Sequence, residues 1–199
     1  LSDPDHKNTL SEKMIDELQA VFDHQVDGDS RVLILASTGN VFSAGHDLKE
    51  IQAARSNADQ GQEYFQFILK KCSALMQSIV RHPKPVIAQV DGVATAAGCQ
   101  LALSCDVVYA STSSRFATPG VNIGLFCSTP MVALSRNTSA KHSMEMLLTG
   151  DFISADEAAK KGLINKSIEQ ANLESYVLEK ANKITSKSKT TLKIGKEAF

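Results

Sequence analysis

The chain lacks most of what would tie it to a membrane, a metal or a nucleic acid. No apolar run reaches the roughly 18 residues that a membrane-spanning helix requires. The formal net charge over 199 residues is −1 and the basic residues are scattered, so no patch is offered to nucleic acid or to an anionic membrane surface. Lys160-Lys161 and the lysines from Lys183 to Lys196 read as solvated helix faces. Only four cysteines occur, at 72, 99, 105 and 127, and none forms a C-x-x-C pair. Each stands among apolar residues, which predicts buried thiols in a reducing compartment rather than metal ligands or disulfides. The opening LSDPDHKN has the character of neither a signal nor a transit peptide.

What the chain does have is a distinctive run of small residues, Gly92 to Asp106, GVATAAGCQLALSCD. Small side chains at Ala94, Ala96, Ala97 and Gly98 let another molecule approach the backbone closely. An apolar helix opens directly after them, and the N–H groups of its first turn have no intrahelical acceptor. Such a helix start suits a carbonyl oxygen that gains negative charge. Just inside the helix stands Gln100, an amide where acid–base chemistry would want a carboxylate.

The rest of the pattern alternates strands and helices. Leu10, Met14, Leu18, Val21, Phe22 and Val26 form an apolar stripe at helical spacing, with Ser11 as N-cap. Arg31 to Ala36, RVLILA, reads as a strand buried on both faces. A loop with Gly39 and Gly45 follows, and a helix begins near Asp47. Residues 55 to 63 are polar and read as a loop; Tyr64, Ile68, Cys72, Leu75, Met76 and Ile79 then mark a long amphipathic helix. The prolines of His82-Pro83-Lys84-Pro85 stop it. Val86 to Val90 and Asp106 to Ala110 are the next strands, and Asp151 to Ile153 is a short one. Ser154 to Glu157 has the spacing of a capping box, with Gly162 suited to follow that helix. Ile164 to Ile168 is extended, and helices fill about 173–186 and 188–198. The order predicts a single α/β domain over 1–199 with mainly parallel strands, its core in about 1–150 and a helical region in about 151–199.

Three segments resemble the enoyl-CoA hydratase/isomerase family, the crotonase superfamily: VFSAGHDLKE at 41–50, SIVRHPKPVIAQVDGVATAAGCQLALSCD at 78–106, and RFATPGVNIGLFCSTP at 115–130 followed by TGDFISADEAAKKGLI at 149–164. The resemblance implies a spiral of ββα units with a C-terminal helical trimerisation region, assembled as a homotrimer or hexamer. It begins near Asn8 to Ser11, so the family's N-terminal hairpin is missing from this sequence. It also implies an acyl-CoA partner, coenzyme A entering as part of the thioester with no tightly bound cofactor, a place in fatty-acid metabolism and a mitochondrial location.

By motif position, the resemblance assigns the two backbone N–H donors of an oxyanion hole to His46 and Ala97. Ala44, His46, Asp47, Leu48, Lys49 and Gly98 would line the thioester, with Lys49 either meeting a CoA phosphate or standing as an ordinary surface lysine. The family's two catalytic carboxylates fall at Gln100 and Gly120, and a third acid position falls near Ser128. An amide cannot take up a proton at neutral pH, and glycine has no side chain. Losing one general acid–base group costs about 10²–10⁴-fold, so little or no standard hydratase activity is expected. The alternative is an active enzyme, hydratase/isomerase-like or of thioesterase or decarboxylase type, that uses the hole and a water held by Gln100. The His46 ring is expected to face a loop or solvent, and Asp47 to serve as a helix cap. Cys99 and Cys127 are expected as buried thiols rather than nucleophiles.

Overall fold

Ser11 opens the first helix as its position requires. Its hydroxyl accepts the Met14 N–H at 3.2 Å, and α1 runs Glu12–Asp27 in the computed structural model, which describes residues 1–199. Met14, Ile15, Leu18 and Phe22 form its buried face against α3 (Gln62–Val80), which follows a short α2 (Leu48–Ala54). Val21 and Val26, counted into the stripe above, are exposed, because that stripe is wider than the surface α3 covers.

Two four-stranded sheets carry the fold. The first orders β1 (Leu33–Leu35), β3 (Val86–Val90), β5 (Val107–Ser111) and β8 (Lys166–Ile168), all parallel. The second orders β2 (Val41–Ser43), β4 (Val93–Thr95), β6 (Arg115–Ala117) and β7 (Ile153–Ser154), antiparallel only between the last two. Three successive strand pairs thus send their first member to one sheet and their second to the other, which produces the spiral. Gly92 makes the second of these corners: its φ is +90°, and a β-carbon there would run into the Asn40 backbone.

Several expectations need correction. β1 is an edge strand and Ile34 is exposed, so RVLILA is not buried on both faces. β2 and β4 lie where a loop and the approach to a helix were read, and β6 where no element was assigned, since three residues are too few to display a period of two. Two helices with no counterpart in the sequence reading, α5 (Ser128–Asn137) and α6 (Ala140–Thr149), close the core behind α4 (Ala97–Leu103). The last elements match their signals. Ser154 caps α7 (Ala155–Lys160) by accepting the Glu157 N–H, Gly162 takes φ +76°, and α8 (Gln170–Thr185) and α9 (Lys189–Ala198) follow. No helix is long and apolar enough to cross a membrane.

Two lysines hold the helix ends. Lys84 is 1% exposed; its Nζ donates to the Gln25 and Gly28 carbonyls at the end of α1, while the nearby His82 Nε2 meets the Phe22 carbonyl at 3.2 Å. Lys196 is not the solvated residue its charge run suggested. Its Nζ donates to the Ile79 carbonyl at the end of α3, to the Lys84 carbonyl and to Asp106 Oδ2 at 2.6 Å, and so anchors α9. Lys161 likewise pairs with Glu145 and Glu157. Cations at helix C-termini complement both the unpaired carbonyls and the helix dipole. Replacing Lys84 by Met keeps the stem and strands two buried carbonyls, so a loss of about 1–3 kcal/mol is expected in urea denaturation; an unchanged midpoint would refute the capping role.

Candidate functional site

The segment after β2 is held as a strand without being one. Leu10 N–H donates to the Gly45 carbonyl at 2.8 Å, Ala44 N–H to the Lys7 carbonyl at 3.1 Å, and Leu10 and His46 form a parallel bridge. Asp47 ends it as the expected cap, its carboxylate accepting the N–H groups of Lys49 and Glu50. Glu50 ties α2 down, accepting the Tyr64 hydroxyl and the Glu12 N–H, both at 3.0 Å. Burial, and then this carboxylate, push the Tyr64 phenol up to about 12.

Facing this segment is the start of α4. A β-carbon on Gly45 would lie 3.1 Å from the Ala97 nitrogen and 3.0 Å from the Ala96 β-carbon, so the two predicted donor segments are in contact. Thr95 adds a bond across the gap, from its hydroxyl to the Ala44 carbonyl at 3.0 Å. The His46 N–H finds no acceptor in the protein, and the Ala97 N–H belongs to a helix first turn, which offers none. Ala96 turns the chain into the helix at φ +48° and ψ −122°, a region that costs a residue with a β-carbon about 1–3 kcal/mol. Gly98 serves packing: a β-carbon there would run into the Ser43 carbonyl, so α4 could not approach β2.

Around this cradle the predicted site residues divide. Gln100 is 8% exposed, with its Oε1 buried and unpartnered. Gly120 has no room for any side chain, because a β-carbon would lie 2.7 Å from both the Cys127 sulfur and the Leu125 carbonyl oxygen. The Gly120 N–H donates to that sulfur at 3.2 Å. Ser128 is exposed at the start of α5, and Leu48 and Lys49 are exposed on α2. All four cysteines are free and buried. Burial pushes the Cys99 thiol up to about 12 and also raises Cys127, against a smaller opposite effect of the Gly120 N–H; neither thiol is poised as a nucleophile.

The His46 ring corrects the sequence reading. It faces neither an open loop nor solvent: both ring nitrogens are buried and unpartnered, and desolvation lowers its pKa against the opposing influence of the Leu10 carbonyl and Glu50. One buried residue escaped sequence reasoning altogether. Thr118 is wholly buried beside the cradle, and its hydroxyl has no partner. It lies within the 115–130 segment that carries the family resemblance, but nothing in that pattern marks its hydroxyl, and only the fold shows it buried and unpartnered.

The chain belongs to the enoyl-CoA hydratase/isomerase family, whose profile matches residues 1–199. It is 47% identical over 200 residues to human "Enoyl-CoA hydratase domain-containing protein 3, mitochondrial", covering 100% of this chain and 64% of that protein. It is 36% identical to "Enoyl-CoA hydratase, mitochondrial" of Pongo abelii, again over 100% of this chain and 66% of the relative. The chain therefore spans somewhat less than two thirds of the length of these relatives. The crystal structure of human enoyl coenzyme A hydratase domain-containing protein 3 superposes with a TM-score of 0.91 at 48% identity, covering 98% of this chain and 75% of that one. The crotonase fold is thereby shown, as the motifs implied.

Two predictions follow from this geometry. Ala96→Gly relieves the strained turn and is expected to stabilise the fold by about 1 kcal/mol in chemical denaturation, after the extra entropy of glycine is deducted. The pH prediction concerns His46. With its folded pKa below the free value, the unfolded chain takes up the proton first, so stability is intact above about pH 6.5 and falls as pH drops below it. His82, also lowered chiefly by desolvation, contributes in the same direction. The drop between pH 7.5 and 5 should be shallower in His46→Asn than in the unaltered chain; equal slopes would exclude the buried ring as a cause.

Proposed function

We propose that this chain binds an acyl-CoA thioester with the carbonyl oxygen between the His46 and Ala97 N–H groups, and performs little or no standard hydration. The supporting observation is the contact between Gly45 and the Ala97 nitrogen, with the His46 donor free of protein partners. Each such donor typically stabilises a developing oxyanion by about 2.7–4 kcal/mol. These are backbone groups, so the cradle survives changes of side chain around it.

Proton transfer has no comparable provision. Gln100 can orient a water but cannot accept its proton. At Gly120 the space for an acid is occupied by the Leu125 carbonyl and the Cys127 sulfur, which argues against a carboxylate reaching the substrate from there. In this reading coenzyme A enters as part of the thioester, Lys49 on the exposed end of α2 meets a CoA phosphate, and the protein works as a homotrimer or hexamer. Mitochondrial fatty-acid metabolism is the proposed setting, carried over from the relatives' names and the family. A second reading is favoured by the unpartnered Gln100 Oε1: a water held there would serve a thioesterase- or decarboxylase-type reaction at the same cradle.

The test compares butyryl-CoA with S-butyl-CoA, the thioether that lacks the carbonyl, by isothermal titration, beside a crotonyl-CoA hydration assay. The thioester is expected to bind about tenfold tighter than the thioether. That ratio should collapse in Gly45→Ala, whose β-carbon fills the cradle. Equal affinities for the unaltered chain, or hydration at the rate of a family hydratase assayed alongside, would overturn the proposal.

A further inference from the structure

Helix α9 is fastened to the body of the protein by one side chain. None of its residues is buried, and of its side chains only Lys196 bonds outside the helix. That fastening is the last link of a continuous network. His82, 3% exposed just past the end of α3, accepts the Lys84 N–H on Nδ1 at 3.2 Å and donates from Nε2 to the Phe22 carbonyl at 3.2 Å. This pattern defines a neutral ring with its proton on Nε2. The Lys84 carbonyl in turn accepts from Lys196 Nζ at 3.2 Å, and the same ammonium reaches the Ile79 carbonyl and Asp106 Oδ2. Asp106 Oδ2 is itself shared with the Val86 N–H, at 2.7 Å.

A second proton on the His82 ring cannot be added without disturbing Lys196. It would sit on Nδ1, where it ends the bond from the Lys84 N–H. It would then face the Lys84 carbonyl, 3.3 Å away, the same oxygen that holds Lys196. Protonation also adds a third positive charge to those of Lys84 and Lys196, and both oppose it. The carboxylates of the surroundings are already engaged: Asp106 meets Lys196, while Asp27 and Asp29 act on Lys84, against the repulsion of Lys189. Burial above all lowers the His82 pKa, the Lys84 and Phe22 carbonyls oppose it, and the two lysines add to the lowering. Departure of α9 returns the ring toward its ordinary value. Release therefore takes up a proton and is favoured as pH falls below about 6.5.

We propose that His82, the Lys84 carbonyl and Lys196 form a proton-operated latch that frees α9 on acidification while α1 and α3 stay folded. Amide hydrogen exchange between pH 8 and 5.5, corrected for intrinsic exchange rates, tests it together with an NMR titration of the His82 ring. Protection of residues 189–198 is expected to fall about tenfold between pH 7.5 and 5.5, with α1 and α3 protected throughout. His82→Gln, whose amide can donate to Phe22 and accept from Lys84 without titrating, should keep α9 protected over the whole range. Lys196→Met should leave α9 unprotected at every pH and raise the midpoint of the His82 titration, a readout independent of how His82→Gln folds. Protection of α9 that ignores pH, or a pH response that survives in His82→Gln, would overturn the latch. Parallel losses in α1, α3 and α9, or a His82 midpoint unmoved by Lys196→Met, would do the same.

Discussion

The candidate site depends on the contact of two chain segments that are far apart in sequence, Gly45 and the Ala96-Ala97 turn. Gly45 has no β-carbon, and one placed there would press on the Ala97 nitrogen. Bonds from Leu10 to the Gly45 carbonyl and from Thr95 to the Ala44 carbonyl fix one side of the contact. On the other side, Gly98 lets α4 settle on the Ser43 carbonyl and carries the helix start with it. Ala96 keeps its strained φ of +48° because these neighbours over-determine the turn. Strain at Ala96 and the free His46 N–H belong to one arrangement of the backbone.

A site built from peptide groups changes differently from one built from side chains. A carboxylate is lost in one substitution, whereas an N–H persists whatever residue carries it. In the proposed reading the backbone donors are kept while Gln100 and Gly120 stand at the positions that the family resemblance assigns to acids. At Gly120 the Leu125 carbonyl and the Cys127 sulfur occupy the room a side chain would take. The side-chain oxygens of Gln100 and Thr118, by contrast, are buried without partners.

How much could be read in advance varied with the kind of signal. Helix caps were legible at Ser11, Asp47 and Ser154, because a side-chain oxygen bonding an N–H two or three residues on is a local event. The long stripe of α3 was legible for the same reason, its period recurring over several turns. The three-residue strands β2, β4 and β6 were not, since each is defined by its neighbours and not by its own pattern. Lys84 and Lys196 were misjudged or passed over, because a lysine that caps a distant helix looks like any other lysine in a sequence.

The amino-acid sequence alone determined the family and the α/β alternation, because these rest on local motifs and their order. Tertiary structure decided the rest. It showed that Gly45 meets Ala97, that Gly120 is closed by Cys127, that the His46 ring nitrogens are buried, and that the Thr118 hydroxyl is buried without a partner. Each of these is a relation between groups brought together by the crossing of sheets and helices, and such a relation exists only once the chain has folded.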